Sequence, residues 1–162
     1  MILIGIGSNL SSEEFGTPLD ICQQAIKHLE KKFYILKKSS WYKSEPIPKS
    51  KQPWFVNGVI EIEFTNQNAQ ELLNQLNIIE KEFGRVRRKL NEPRILDLDI
   101  IDFNAQIYNK ENLVLPHPRM HCRKFVLLPI KELNLNWTHP VTKKKINEML
   151  NDLNDQQQIT KI

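Results

Sequence analysis

Apolar residues along this chain recur with two different periods, and the switches between them mark out the elements. Residues 2 to 7 form an apolar run that predicts a first strand. Leu19, Cys22, Ile26 and Leu29 then recur at spacings of three and four, the core stripe of an amphipathic helix over 18 to 31. Thr17 suits its N-cap and Pro18 its first helical position. Residues 33 to 43 and 54 to 65 predict two strands, the second alternating through "EIEF". Between them "SEPIPKSKQP" carries three prolines and is long for a hairpin, a hint of a functional loop. Asn68 followed by Glu71 predicts a capped helix over 69 to 83, with Leu72, Leu76, Ile79 and Phe83 on its apolar face and Gly84 at its end. A strand over 95 to 103 completes a β-α-β-β-α-β order. That is the split βαβ pattern of an α+β, ferredoxin-like domain. Extra helices are expected near 123 to 133 and near 143 to 151, the latter begun by Thr142. A polar tail from about 151, "NDLNDQQQITKI", is expected to fray.

At 162 residues the chain suits one domain spanning 1–162, with a sizeable core. Lys and Arg number 23 against 19 Asp and Glu, and the net charge of +4 fits an anionic small ligand as well as nucleic acid. Cys22 and Cys122 show neither metal-ligand spacing nor a disulfide framework, so a reducing compartment is expected. The opening "MILIGIG" has no basic leader and falls short of the ~18 apolar residues of a membrane span. A soluble, cytoplasmic protein follows as the expectation, with no membrane partner.

The strand "EPRILDLDIIDF" carries the first candidate chemistry. Alternation places Asp97 and Asp99 on one face, roughly 6.5 to 7 Å apart at ~3.3 Å per residue, with Leu96, Leu98 and Ile100 on the other. Just before them come Arg85, Arg87, Arg88, Lys89 and Arg94. These cations neutralise the aspartates in one reading. In the other, the aspartates hold Mg²⁺ while the arginines hold phosphate, since magnesium uses one or two carboxylates plus substrate oxygens. In "LPHPRMHCRKF", two prolines aim His117, and Arg119, His121, Arg123 and Lys124 follow near a helix start, a pattern that favours an anion site over an ordinary surface turn. Phe55 and Asn57 share a strand face in "QPWFVNG". They suit either a stacked heterocycle or plain core packing. Gly5 and Gly7 lack the spacing and Lys of a P-loop and are expected to permit a tight exit from the first strand.

In order, "IGIGSNL", "SSWYKSEPI", "QPWFVNGVIEI", "IEKEFGRVR", "PRILDLDII" and "LPHPRMHCRKFVLLPI" closely resemble the 6-hydroxymethyl-7,8-dihydropterin pyrophosphokinases of folate biosynthesis. The likeness runs from about residue 2 to 133. It implies a ferredoxin-like α/β/α sandwich and transfer of the diphosphoryl group of ATP to the pterin hydroxymethyl, releasing AMP. It further implies that Asp97 and Asp99 bind two Mg²⁺ ions bridging the triphosphate, and that Phe55 and Phe125 sandwich the pterin. Asn57 would bond the pterin edge, with backbone near Ser44, Pro46 and Ile47 completing the pocket. Arg85, Arg94, His117 and Arg123 match residues that contact the triphosphate or stabilise its transfer, and Glu80 matches one lining the nucleotide site. Where the best-known members carry Tyr and Gln, this chain has Phe55 and Asn77.

Small-molecule substrates and a monomer are expected, and no nucleic acid. An RNA-recognition module would share the element order, but the Gly-Phe-rich strands it needs are missing. A metal-dependent nucleotidyltransferase is the nearer rival. Residues 85 to 94 are expected to form a mobile lid that closes as Arg85, Arg87 and Arg94 meet phosphate, with no Trp to seal it.

Overall fold

The computed structural model describes residues 1–84, 95–153 and 157–162. The order begins with β1 (Ile2–Ser8), α1 (Pro18–Glu30), β2 (Tyr34–Lys38), β3 (Tyr42–Ser44), β4 (Phe55–Glu63), α2 (Ala69–Glu82) and β5 (Asp97–Phe103). A hairpin of β6 (Tyr108–Lys110) and β7 (Leu113–Leu115) follows, then α3 (Lys124–Leu133), α4 (Ile146–Asp152) and β8 (Ile159–Lys161). The main sheet runs β5-β1-β4-β3-β8, with β2 also paired to β4, and its ladders are antiparallel. This is the expected βαββαβ core.

Each face of the sheet has its own apolar cluster. Ile2, Ile4 and Ile6 of β1 join Val56, Ile60, Leu98 and Ile100 against Ile21, Cys22 and Leu29 of α1 and Leu72, Leu76 and Ile79 of α2. On the other face, Leu3, Val59 and Ile101 meet Val126, Leu127 and Ile130 of α3 and Ile146 and Met149 of α4. The result is an α/β/α sandwich. Where Leu3 opposes Asp102 and Ile4 opposes Ile100, Ile101 is left as the extra residue of a bulge in β5. Ile101 and Asp102 therefore both turn toward α3, and buried Asp102 accepts the Trp137 Nε1 proton at 2.9 Å.

The first two helices start as their caps predict. Thr17 Oγ1 accepts from Asp20 N at 3.3 Å while Asp20 Oδ2 accepts from Thr17 N at 2.9 Å. Asn68 Oδ1 accepts from Gln70 N and Glu71 N, and Gly84, at φ +77°, stops α2.

Three expectations are corrected and one hairpin is added. The strand over 33 to 43 is two strands, because Ser39 bonds across to Val59 and Trp41 lies over Gly58, where a Cβ would come within 2.7 Å of the indole. The β6–β7 hairpin was not foreseen. It follows a turn at Asn104 and Ala105, both at positive φ, with Asp102 Oδ1 accepting from Ala105 N. Thr142 does not begin the last helix: its N–H goes to His139 Nδ1 at 3.2 Å and Lys143 sits at φ +59°, so α4 starts at Ile146. Nor is the polar tail all frayed, since β8 pairs with β3 in antiparallel register.

Candidate active site

Alternation on three adjacent strands, β5, β1 and β4, builds the floor of a cleft. Along the face opposite α1 and α2, β1 offers Gly5 and Gly7, β4 offers Phe55 and Asn57, and β5 offers Asp97 and Asp99. Gly7 lies opposite Asn57 on one side and Asp97 on the other. These glycines therefore do not serve a tight exit from β1, as the sequence suggested. They lie within the ladder, and a Cβ on Gly7 would stand 3.2 Å from Asn57 Oδ1 and fill the floor.

One end of the cleft is apolar with a polar edge. Phe55 and Phe125 line it, with Pro46 and Ile47 from the loop after β3. Asn57 is buried and donates Nδ2–H to Ser44 Oγ at 2.8 Å, a bond that holds the amide in place with Oδ1 toward Gly7. The Arg123 guanidinium lies 5.5 Å from the centre of the Phe125 ring, a cation–π contact that joins this end to the next.

The other end is charged. Leu96, Leu98 and Ile100 are buried against α1 and α2, which leaves Asp97 and Asp99 half-buried on the cleft side. His117 is held by its N–H to Ile101 O at 3.0 Å, and its Nδ1 accepts from Arg119 N at 3.2 Å. The proton of the neutral ring thus sits on Nε2, 3.9 Å from Asp99 Oδ2. Burial, followed by the charges of Arg123 and Arg119, pulls its pKa down to about 4 against the opposing pull of Asp97. At neutral pH it is an uncharged donor between carboxylates and arginines.

Of the residues singled out from sequence, Pro46, Ile47, Phe55, Asn57, Asp97, Asp99, His117, Arg123 and Phe125 converge on this cleft. Ser44 stands behind Asn57 as its hydrogen-bond partner. Glu80 lies apart from the lining: it is buried on α2, and its Oε1 accepts from Leu98 N at 2.8 Å at the end strand of the sheet. Arg85, Arg87, Arg94 and the expected lid lie outside the described residues.

Sequence reading missed Asn9, Glu45 and Gln52. Asn9 is buried and donates to Gln52 Oε1 and Pro53 O, both at 3.2 Å, tethering the far end of the proline loop to the end of β1. Its place in "GSNL", directly after the glycine strand, was the available signal. Glu45 and Gln52 line the cleft from a loop with no periodicity to reveal them.

A family model described as 7,8-dihydro-6-hydroxymethylpterin-pyrophosphokinase (HPPK) matches residues 3–135. The chain is similar to the 2-amino-4-hydroxy-6-hydroxymethyldihydropteridine pyrophosphokinase of Haemophilus influenzae, 39% identical over 80% of this chain and 79% of that one. The protein of the same name from Bacillus subtilis is 38% identical, covering 80% of this chain and 75% of its own length. The folic acid synthesis protein fol1 of Pneumocystis carinii is 38% identical over 87% of this chain, yet the chain spans only 18% of that longer relative. A solved structure of Plasmodium falciparum HPPK-DHPS shares the fold, with a TM-score of 0.71 at 15% identity over 93% of this chain and 43% of the other.

Proposed function

The chain belongs to the 7,8-dihydro-6-hydroxymethylpterin-pyrophosphokinase family, and from that premise we propose how its cleft divides the two substrates. The family's reaction, pyrophosphoryl transfer from ATP to a hydroxymethyldihydropterin in folate biosynthesis, is the reaction of this chain. The pterin takes the apolar end, stacked between Phe55 and Phe125, with its polar edge on Asn57 and on backbone near Ser44, Pro46 and Ile47. The triphosphate takes the charged end, along Asp97, Asp99, His117 and Arg123. The observation that carries this reading is the split of one cleft into an aromatic end and a carboxylate–arginine end joined at Arg123 and Phe125. Phosphate contacts from Arg85, Arg87 and Arg94, and a nucleotide-site role for Glu80, belong to the same proposal and rest on the sequence pattern.

Asp97 and Asp99 fit magnesium. They are half-buried carboxylates on one strand face, and no group of three or more His, Cys, Asp or Glu among the described residues could form a full protein cage. Such a donor set suits an ion that draws its remaining ligands from phosphate and water. We assign two ions there, and when bound they supply neutralisation of phosphate charge. The protein's share is position. Stacking holds the hydroxymethyl oxygen in line with the β-phosphorus, Nε2–H of His117 and the Arg123 guanidinium meet phosphate oxygens, and the aromatic walls exclude water. The oxygen bonds to the β-phosphorus, the bond bridging to the α-phosphate breaks, AMP leaves, and the hydroxyl proton passes to Asp97 or to water.

The same reading takes the enzyme as a cytoplasmic monomer. Two free thiols, one buried and one exposed, support a reducing compartment. No helix among the described residues is long and apolar enough to cross a membrane. Incubation with ATP, Mg²⁺ and hydroxymethyldihydropterin tests the chemistry. AMP in step with diphosphorylated pterin is the expected result, whereas ADP or free pyrophosphate as the nucleotide-derived product overturns it.

A further inference from the structure

The cleft wall formed by Glu45, Pro46, Ile47 and Pro48 belongs to a loop with no periodic apolar face to fix it. Ordering such a loop on substrate binding costs backbone entropy at each residue, so affinity depends on what orders it beforehand. Here that support comes from residues 157–162, which lie beyond the stretch matched by the family, 3–135. In β8, Ile159 lies opposite Ser44, Thr160 opposite Lys43 and Lys161 opposite Tyr42. Ser44 is the residue that orients the Asn57 amide.

Just before β8, three bonds close on a single cleft residue. Glu45 N donates to Gln158 O at 3.1 Å, Gln158 N donates to Glu45 Oε2 at 3.0 Å, and Gln157 Nε2 donates to Glu45 O at 2.8 Å. The Glu45 side chain is only 16% exposed, and its Oε2 also lies 3.7 Å from Lys49 Nζ, so the loop's own cation adds to the hold of Gln158 on this carboxylate. At the far end, Lys161 Nζ reaches Glu132 Oε1 at 2.6 Å, and Glu132 also accepts from Ser40 N and Tyr42 Oη, both at 2.7 Å. The strand is thereby fastened to α3 as well as to β3.

We propose that Gln157 and β8 act as positioning residues for pterin recognition, holding Glu45 and Ser44 so that the loop and Asn57 are already set when the substrate arrives. The inference rests on the substrate assignment made above, and its first readout does not need the substrate at all. Amide exchange at Glu45, Ile47 and Lys49, the residues of the 45–49 stretch that carry an N–H, is compared in the ligand-free protein among the wild type, Gln157→Ala and a chain lacking residues 157–162. Pterin and nucleotide-analogue affinities are then measured on each.

Exchange at 45–49 is expected to rise in both variants. Pterin affinity is expected to fall about threefold for Gln157→Ala and about tenfold for the deletion, with nucleotide affinity moving less than about twofold. Unchanged exchange, unchanged pterin affinity or an equal loss for both ligands overturns the proposal. Should the deletion fail to fold, Gln157→Ala carries the same test alone. If exchange rises as expected but the wild type itself does not bind pterin, the substrate assignment has failed and the clasp has not.

Discussion

The two faces of β1, β4 and β5 use alternate residues of the same three strands for opposite ends. Toward α1 and α2 the strands present Ile4, Ile6, Ile60, Leu98 and Ile100, each nearly or fully out of water. Toward the cleft they present Gly5, Gly7, Asn57, Asp97 and Asp99, small or polar residues that bury little apolar surface. The period of two lets one face carry the hydrophobic stabilisation that tolerates the second. A polar face is tolerated on such a strand because the residue on either side of each aspartate is a core residue. Substitutions at these two sets of residues should separate into losses of stability and losses of function, although Leu3, Val59 and Ile101 give the cleft-side face a core of its own farther along the strands.

The largest separation is expected at Asp97. Asp97→Asn should cut turnover by about a hundredfold or more while the melting temperature holds or rises, because on the proposed reading removing one carboxylate both takes away a metal ligand and relieves repulsion. Turnover at saturating Mg²⁺ together with thermal unfolding checks both halves. Next comes the aromatic end. Asn57→Leu should weaken pterin binding by about 1–3 kcal/mol through an unpaired polar edge, and Phe125→Ala by roughly 1 kcal/mol beyond its buried area. Calorimetry with pterin and with a nucleotide analogue would place Phe125 elsewhere if the nucleotide suffered more.

A smaller change sharpens the comparison at the floor. Gly7→Ala puts a methyl 3.2 Å from Asn57 Oδ1 without a positive φ to strain the backbone. It should cost pterin affinity about three- to tenfold while leaving the melting temperature nearly unmoved.

The smallest expected effect lies away from the cleft, at Glu132. Burial raises the pKa of its carboxyl, but hydrogen bonds from Lys161, Ser40 and Tyr42 outweigh it and hold it at about 2, against an ordinary 4.5. A depressed carboxylate stabilises the fold above its unfolded value and loses that contribution as pH falls through the folded one. The wild type should thus lose its stability advantage over Glu132→Gln between about pH 4.5 and pH 2. Parallel melting curves across that window would show that the network adds nothing.

Much of this was legible in the residues because the strands alternate strictly where they matter. Asp97 and Asp99 against Leu98 and Ile100 could be assigned to faces by counting, and the Thr17 and Asn68 caps marked two helix starts. What could not be read depends on contacts between distant segments. Ser39 splits a strand by bonding to Val59, and residues 157–162, polar and without periodicity, find order only because β3 offers an open edge. The glycines of β1 were misread for a related reason. Gly5 leaves room for Ile101 and Gly7 for Asn57, and room is a property of neighbours.

The account is tested most directly by two adjacent residues, Leu98 and Asp99, each changed alone and each measured for melting temperature and Mg²⁺-dependent turnover. Leu98→Ala should lose about 2–5 kcal/mol of stability, roughly 5 to 15 °C, and keep most of its turnover at low temperature. Asp99→Asn should keep its melting temperature and lose turnover by about a hundredfold. A folded Asp99→Asn protein with near-wild-type turnover at saturating Mg²⁺ would contradict the division of the two faces.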